Sequence, residues 1–190
     1  LPTYVERHES GLAVMAAPST PDGGSSITEA TVRQLLDTAS RGYRYVVVDA
    51  GSGLDARSEA VLRRATDVVI VVTPEFPALK AVHSLRDLLA GSGVELGETS
   101  FVLNQIFARE MLRLRDIEEA LDSKIALTIP YDAFAFLKSV NEGVPVVLGA
   151  PRSGAAEQLF RLATRITGGE ASAAPAERRS KGLGSLFGRG

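Results

Sequence analysis

The chain has 190 residues, no cysteine and a formal net charge of −2, from 21 basic and 23 acidic residues. Its composition, 45% hydrophobic and 23% charged, is typical of a globular domain. The lack of cysteine excludes disulfides and thiolate metal sites, and the spacing of His8 and His83 disfavours a zinc site. The balanced charge does not favour nucleic-acid binding, and no apolar run approaches the ~20 residues of a membrane span.

Apolar strands and amphipathic helices alternate along the sequence. The predicted extended segments are 12–17, 45–48, 68–72, 101–103, 125–129 and 144–148. The predicted helices are a segment ending near residue 42, 56–65, a segment from about 77 to 91, 112–121, 134–140 and 155–166. Ser26 and Glu29 have capping-box spacing before the first helix. Residues 68–72, VVIVV, predict a strand covered on both faces.

This alternation predicts an α/β domain with a mostly parallel sheet and helices on both faces. We expect that domain to occupy residues 1–168. From residue 169 onwards the composition becomes small, polar and proline-containing, which predicts a flexible linker and tail over residues 169–190.

One predicted strand, YVVV at 45–48, ends in Asp49, and Gly51 and Gly53 follow at once. In open parallel sheets ligands bind outside the carboxyl ends of the strands. A carboxylate there can hold Mg²⁺ beside nucleotide phosphates, and glycines allow backbone N–H groups to approach them. The alternative is that Asp49 only caps the next turn. The two glycines do not complete a Rossmann fingerprint, which disfavours a dinucleotide-cofactor protein.

Three further predicted strands also end in polar or proline-containing turns. These turns are residues 73–75, residues 104–105 and residues 130–132. Because parallel strands bring their carboxyl ends to one edge of a sheet, we expect the four turns to form one site.

The motifs DAGSGLD, VVIVVTPEFPALK, FVLNQ, TIPYD and NEGVPVV, in this order, resemble the MinD/ParA superfamily of deviant-Walker P-loop ATPases. The resemblance runs from about residue 11 to 168 and is strongest to the MinD, FlhG and CpaE-like branch. It implies a P-loop NTPase-like fold, ATP and Mg²⁺ as ligands and an ATP-dependent homodimer. It also implies a role in positioning cell division, flagella, pili or other cargo.

The resemblance assigns roles to individual residues. Asp49 would be the catalytic acid that acts on Mg²⁺, and the loop containing Gly51 and Gly53 would sense the γ-phosphate. Asn104 would contact adenine, and the base pocket would be lined by Pro130, Tyr131 and Asp132. The alternatives are an Asx turn at Asn104 and ordinary turn roles for Tyr131 and Asp132.

The family's phosphate loop, with its Gly-Lys pair, does not occur in this sequence. We therefore expect an N-terminally truncated member whose parent binds and hydrolyses ATP. The chain alone is expected to bind ATP poorly and to hydrolyse essentially none, because that loop makes most phosphate contacts. We also expect the two inner strand edges beside the missing strand to lose their partners, or to pair with each other in an arrangement that the family does not have.

The C-terminal segment combines basic and apolar residues. Its basic residues are Arg178, Arg179, Lys181 and Arg189, and its apolar residues are Leu183, Leu186 and Phe187. The apolar residues have helical i, i+3, i+4 spacing, so residues 178–190 resemble a peripheral membrane-targeting tail on the inner face of the cell membrane. The alternative is a disordered basic end.

A second function stays open at this point. CpaE-like members with a degenerate nucleotide site act as non-enzymatic scaffolds in pilus assembly. The activating or cargo partner is not indicated by the sequence.

Overall fold

A computed structural model describes residues 4–17, 24 and 26–169. The strands are β1 Glu6–Arg7, β2 Ala13–Val14, β3 Asp67–Val72, β4 Glu98–Asn104 and β5 Ile125–Ile129. The helices are α1 Glu29–Gly42, α2 Ala56–Leu62, α3 Phe76–Ser92, α4 Leu114–Leu121, α5 Ala133–Glu142, α6 Val146–Gly149 and α7 Gly154–Ile166. The predicted linker and membrane-targeting tail lie outside the described residues, apart from Gly169.

The main sheet has three parallel strands in the order β3-β4-β5 and is flanked by helices. This confirms the predicted α/β fold. The bounds of β5 are those predicted from its apolar run. Strand β4 begins three residues earlier than predicted and, as predicted, ends at Asn104.

Two strand predictions were wrong. Residues 45–48 form no strand, and Val47 is 96% exposed. Of residues 12–17 only Ala13–Val14 is a strand, and it pairs antiparallel with Glu6–Arg7 outside the main sheet. Both segments have strand-forming residues, but within the described chain neither has a neighbour in the main sheet that would bury it.

Smaller corrections concern caps and short segments. Thr28, not Ser26, is the N-cap of α1, because its hydroxyl accepts from the Thr31 N–H at 3.2 Å. The segment 144–148, predicted as extended, contains the helical turn α6 after Pro145. Strand β3 is not covered on both faces, since Val71 on this edge strand is 61% exposed.

The described residues divide into two compact units. The first comprises the chain up to Val102 together with Met111–Ala126, and the second comprises Leu103–Glu110 and the chain from Leu127 onwards. In the first unit α1 packs on α2 and α3 packs on α4; in the second α5 packs on α6 and α6 on α7.

The core of the first unit includes Val72, Phe101, Val102, Ile117 and Leu121. That of the second includes Leu103, Ile129, Ala135, Val146, Ala155 and Ala156.

Side-chain hydrogen bonds hold the first unit's elements together. Arg86 of α3 donates to the Leu121 carbonyl and, at 2.7 Å, to the Ser123 hydroxyl at the end of α4, and its guanidinium lies over the Phe101 ring. Glu118 of α4 accepts from Lys124 Nζ at 2.7 Å and from the Ile125 N–H at 3.0 Å. Glu118 therefore fixes the start of β5.

Gly97, just before β4, permits a close backbone approach. A Cβ there would lie 2.2 Å from the Thr66 carbonyl oxygen and 2.6 Å from that of Ala65. The Thr66 carbonyl also accepts the Glu98 N–H at 2.8 Å, so the two backbone segments are bonded where they touch. No residue with a side chain fits here without moving the backbone.

We predict that Gly97→Ala lowers the free energy of unfolding by about 3 kcal/mol or more, because the new methyl group meets carbonyl oxygens that cannot rotate away. Gly91→Ala is the matched control. Gly91 lies within α3, and a Cβ added there would have no neighbouring atom within 4 Å, so alanine should be neutral or stabilising by up to about 1 kcal/mol. Urea unfolding measures both, and equal stability of the two variants would contradict the steric argument.

Glu118 provides a prediction about acid stability. The Lys124 ammonium and the Ile125 N–H lower the pKa of the Glu118 carboxyl. A depressed folded-state pKa contributes stability above the unfolded pKa, and this contribution is lost as pH falls below about 4.5 and through the lower folded-state pKa. Glu118→Gln should therefore destabilise the protein at pH 7, with the difference from wild type shrinking as pH falls below about 4.5 and through the lowered pKa of Glu118. Glu119→Gln, whose side chain is 70% exposed, is the control; a pH-independent deficit for Glu118→Gln would refute the linkage.

Candidate functional site

The predicted base-pocket residues lie where β4 and β5 end. Beyond the end of β4 the Gln105 N–H donates to the Ile129 carbonyl at 3.0 Å, which extends the pairing of the two strands by one residue. Asn104 and Pro130 are therefore the adjacent tips of neighbouring strands. The structure brings these two predicted site residues together.

Asn104 is half-buried and its side-chain amide makes no hydrogen bond with any described residue. The Asx turn considered as an alternative is therefore not formed. An amide has one acceptor and two donors, and all of them stay available to a ligand at this strand end.

Asp132 has the ordinary turn role that was considered as the alternative to a role in the base pocket. Its carboxylate accepts from the Ala135 N–H at 3.0 Å and is the N-cap of α5. Tyr131, between Pro130 and this cap, is 46% exposed and forms no strand or helix. The turn from Pro130 to Asp132 is thus held at one end by β5 and at the other by a capped helix.

The start of α7 also contacts this turn, and sequence reasoning missed it. Ser153 caps α7 by accepting from the Ala156 N–H at 3.1 Å, and Gly154 is the first helical residue. A Cβ at Gly154 would lie 3.1 Å from Cγ of Pro130. The detectable signal was the Pro-Arg-Ser-Gly turn before an amphipathic helix, which indicates a capped helix but not its neighbour.

Asp49, Gly51 and Gly53 lie in the first unit, whereas Asn104 and residues 130–132 lie in the second. The Asp49 carboxylate accepts from the Gly51 N–H at 2.9 Å, so it caps its own turn as the simpler alternative proposed. Gly51 has φ +69°, a left-handed conformation that glycine adopts without strain. Asp49, Gly51 and Gly53 are all exposed.

The loop after Gly53 leads into a strongly capped helix. The Asp55 carboxylate accepts from the backbone N–H groups of Ser58 and Arg57, and the Ser58 hydroxyl accepts the Asp55 N–H in return. The Ser58 N–H and the Arg57 guanidinium hold the pKa of the Asp55 carboxyl well below its usual range. Asp55 is thus a structural anion that fixes the end of the glycine loop.

Within the described residues, no group of three or more His, Cys, Asp or Glu side chains is arranged to hold a metal ion. Asp49 offers one carboxylate, which suits a Mg²⁺ ion whose other ligands are phosphate oxygens and water. None of the helices in the described part has the length and apolar character of a membrane span. A surface concavity between α3 and α4 contains none of the predicted site residues.

Known proteins resemble this chain in fold and sequence. A septum-site protein of Mesostigma viride, named for MinD, is 26% identical over 94% of this chain. Septum site-determining protein MinD of Thermotoga maritima is 28% identical over 66% of it. A ParA family ATPase from Chlorobium tepidum superposes with a TM-score of 0.80 at 25% identity, over 85% of this chain and 68% of that one. No family model matches the chain.

The chain is thus similar in sequence and in fold to MinD and ParA ATPases. MinD from Pyrococcus horikoshii, solved in complex with Mg-ADP, shares the fold with a TM-score of 0.74 at 18% identity, over 87% of this chain and 68% of that one. A MinC:MinD complex from Aquifex aeolicus gives 0.66 at 21% identity, over 92% and 69%.

The match covers only part of the length of these relatives. The chain spans 63% of the Mesostigma viride protein and 48% of the Thermotoga maritima protein. The ligands and activities of the whole proteins are therefore only proposals for this chain.

We predict that Gly51→Ala destabilises the glycine loop, because an L-residue at φ +69° costs about 1–2 kcal/mol. Gly53→Ala is the matched control, since Gly53 has no positive φ and nothing within 4 Å of an added Cβ. Amide hydrogen exchange at residue 51 should accelerate in Gly51→Ala, where the bond to Asp49 is strained, and stay unchanged in Gly53→Ala. Equal exchange in both variants would show that the loop conformation is not imposed by Gly51.

Proposed function

We propose that this chain carries two parts of a MinD/ParA-type nucleotide machinery: an adenine-recognising edge in the second unit and a magnesium-binding acid, Asp49, in the first. The parent protein would be an ATPase that acts in the spatial positioning of the cell-division machinery. The observation that carries the proposal is the half-buried residue Asn104, whose side-chain amide has no internal hydrogen bond and which lies beside Pro130 at the tips of β4 and β5. An asparagine amide can pair bidentately with the donor and acceptor of adenine.

Asp49 would act on Mg²⁺ together with the nucleotide phosphates. One of its oxygens accepts from the Gly51 N–H, and its exposure permits contact with a solvated cation. Magnesium bound at Asp49 would neutralise phosphate charge, and Gly51 and Gly53 would keep the loop backbone open to the γ-phosphate.

We further propose that the chain is the C-terminal portion of its parent and that a segment with a phosphate loop completes it. Residues 45–48 are strand-forming and exposed, and Val71 on the edge strand β3 is 61% exposed. An additional strand beside the edge strand β3 would cover exposed apolar side chains such as that of Val71. The chain's partial coverage of its relatives agrees with this proposal.

In the parent, we propose an ATP-dependent homodimer and binding of a regulatory partner. The solved MinC:MinD complex of Aquifex aeolicus supports partner binding by a relative. Residues 178–190 would provide peripheral membrane contact at the inner face of the cell membrane through basic and apolar side chains. On this proposal the protein acts in the cytoplasm.

A non-enzymatic, CpaE-like scaffold is the second candidate. It is favoured by Asp49 and Asp132, whose carboxylates both serve local caps. In that case the domain would localise cargo without turnover. The candidates differ in whether the parent hydrolyses ATP.

Nucleotide titration followed by amide chemical shifts tests the proposed site. We predict that adenosine, AMP and ATP bind with similar affinities, with a Kd of about 1 mM or weaker, because the chain provides base contacts but few phosphate contacts. Shifts should centre on Gln105, Tyr131 and neighbouring amides. Asn104→Ala should weaken adenosine binding about tenfold through the loss of the paired hydrogen bonds.

Gln34→Ala is the control for this titration, since it removes an exposed side-chain amide on α1 in the first unit. It should leave adenosine binding unchanged. Saturable binding of guanosine with the same affinity as adenosine, or shifts confined to the first unit, would refute the proposed base pocket. Micromolar ATP binding would show that phosphate contacts exist within this chain.

A further inference from the structure

Helix α7 begins against the turn that follows β5. Gly154, its first residue, lies so close to Pro130 that a Cβ would come within 3.1 Å of the proline Cγ. Carbon atoms in favourable contact are about 3.5–4.0 Å apart. Glycine is therefore the residue that lets α7 approach the pyrrolidine ring this closely.

Helix α7 is fixed where it meets Pro130. The Ser153 hydroxyl caps it through the Ala156 N–H, and the next two residues, Ala155 and Ala156, are 0% exposed. Moving the helix outward would open space around these two side chains, and cavities in a core are costly. A side chain added at position 154 would therefore displace Pro130 rather than the helix.

Pro130 in turn determines where the candidate base pocket lies. It follows Ile129, whose carbonyl is bonded to the Gln105 N–H, and it precedes Asp132, which caps α5. The turn is fixed at Ile129 by the bond to Gln105 and at Asp132 by the cap of α5. A steric contact from α7 would therefore displace the residues between these two points. A shift of a few tenths of an ångström would change the position of the turn relative to Asn104, at the adjacent strand tip.

We propose that Gly154 is a positioning residue for adenine binding, which it supports by letting α7 hold the turn from Pro130 to Asp132 in place. This inference rests on the proposed function, because it assumes that this turn receives the base. Binding constellations are held to within about 0.5 Å, so a shift of a few tenths of an ångström takes up most of that tolerance and weakens recognition. The role requires no contact between Gly154 and the nucleotide.

The test compares Gly154→Ala with Gly149→Ala in the full 190-residue chain, using adenosine titration followed by amide chemical shifts. Gly154→Ala should raise the adenosine Kd about fivefold. Gly149, also in the second unit, would place its Cβ 3.4 Å from Val144 Cγ1, an ordinary contact, so Gly149→Ala should leave the Kd unchanged. Both variants should keep a thermal midpoint close to that of wild type, which separates positioning from a loss of folding.

A double-mutant cycle tests whether Gly154→Ala affects adenosine binding through Pro130. Pro130→Ala removes the Cγ atom that alanine at 154 would press on, so Gly154→Ala should have little further effect on the Kd in that background. An equal loss of affinity in both backgrounds, or wild-type affinity for Gly154→Ala, would overturn the inference.

The titration also separates this inference from the function on which it rests. If wild type shows no saturable adenosine shifts, the proposed function fails and the inference fails with it. If wild type and Asn104→Ala behave as proposed but Gly154→Ala binds like wild type, only the positioning role is lost.

Discussion

The hydrogen bond from the Gln105 N–H to the Ile129 carbonyl is the interaction on which the candidate site depends. It carries the β4–β5 pairing past the last residue of β4 and so makes Asn104 and Pro130 neighbours. Strands alone would leave these two turns free to diverge. With this bond, the cap at Asp132 and the contact at Gly154 act on one turn that is already fixed by the sheet.

Much of the fold could be predicted because the local pattern and the tertiary surroundings agree. Residues 125–129 are apolar, bounded by turn residues and paired with β4, so their prediction as a strand was correct. Residues 45–48 have an equally strong pattern, yet they form no strand. A strand requires a hydrogen-bonding neighbour, and propensity cannot indicate whether that neighbour is present.

The candidate site was predictable to a similar extent and for a similar reason. Chain order was sufficient to place Asn104 and Pro130 at strand ends, since a strand's end is a local property. The close approach of Gly154 to Pro130 connects residues far apart in the sequence, and no periodicity encodes it. The roles of Asp49 and Asp132 as caps show that a carboxylate at a strand end can have a structural role even where a ligand role is proposed.

The exposure of residues 45–48 has a consequence for the behaviour of the chain in solution. Val46, Val47 and Val48 are β-branched, exposed and outside any strand, and an exposed apolar run of this kind is a template for intermolecular β-pairing. Asp49 directly follows the run, and in a parallel, in-register stack of copies its carboxylates would lie beside one another and repel. High ionic strength screens this repulsion, so we expect self-association through residues 46–48 to increase with salt concentration.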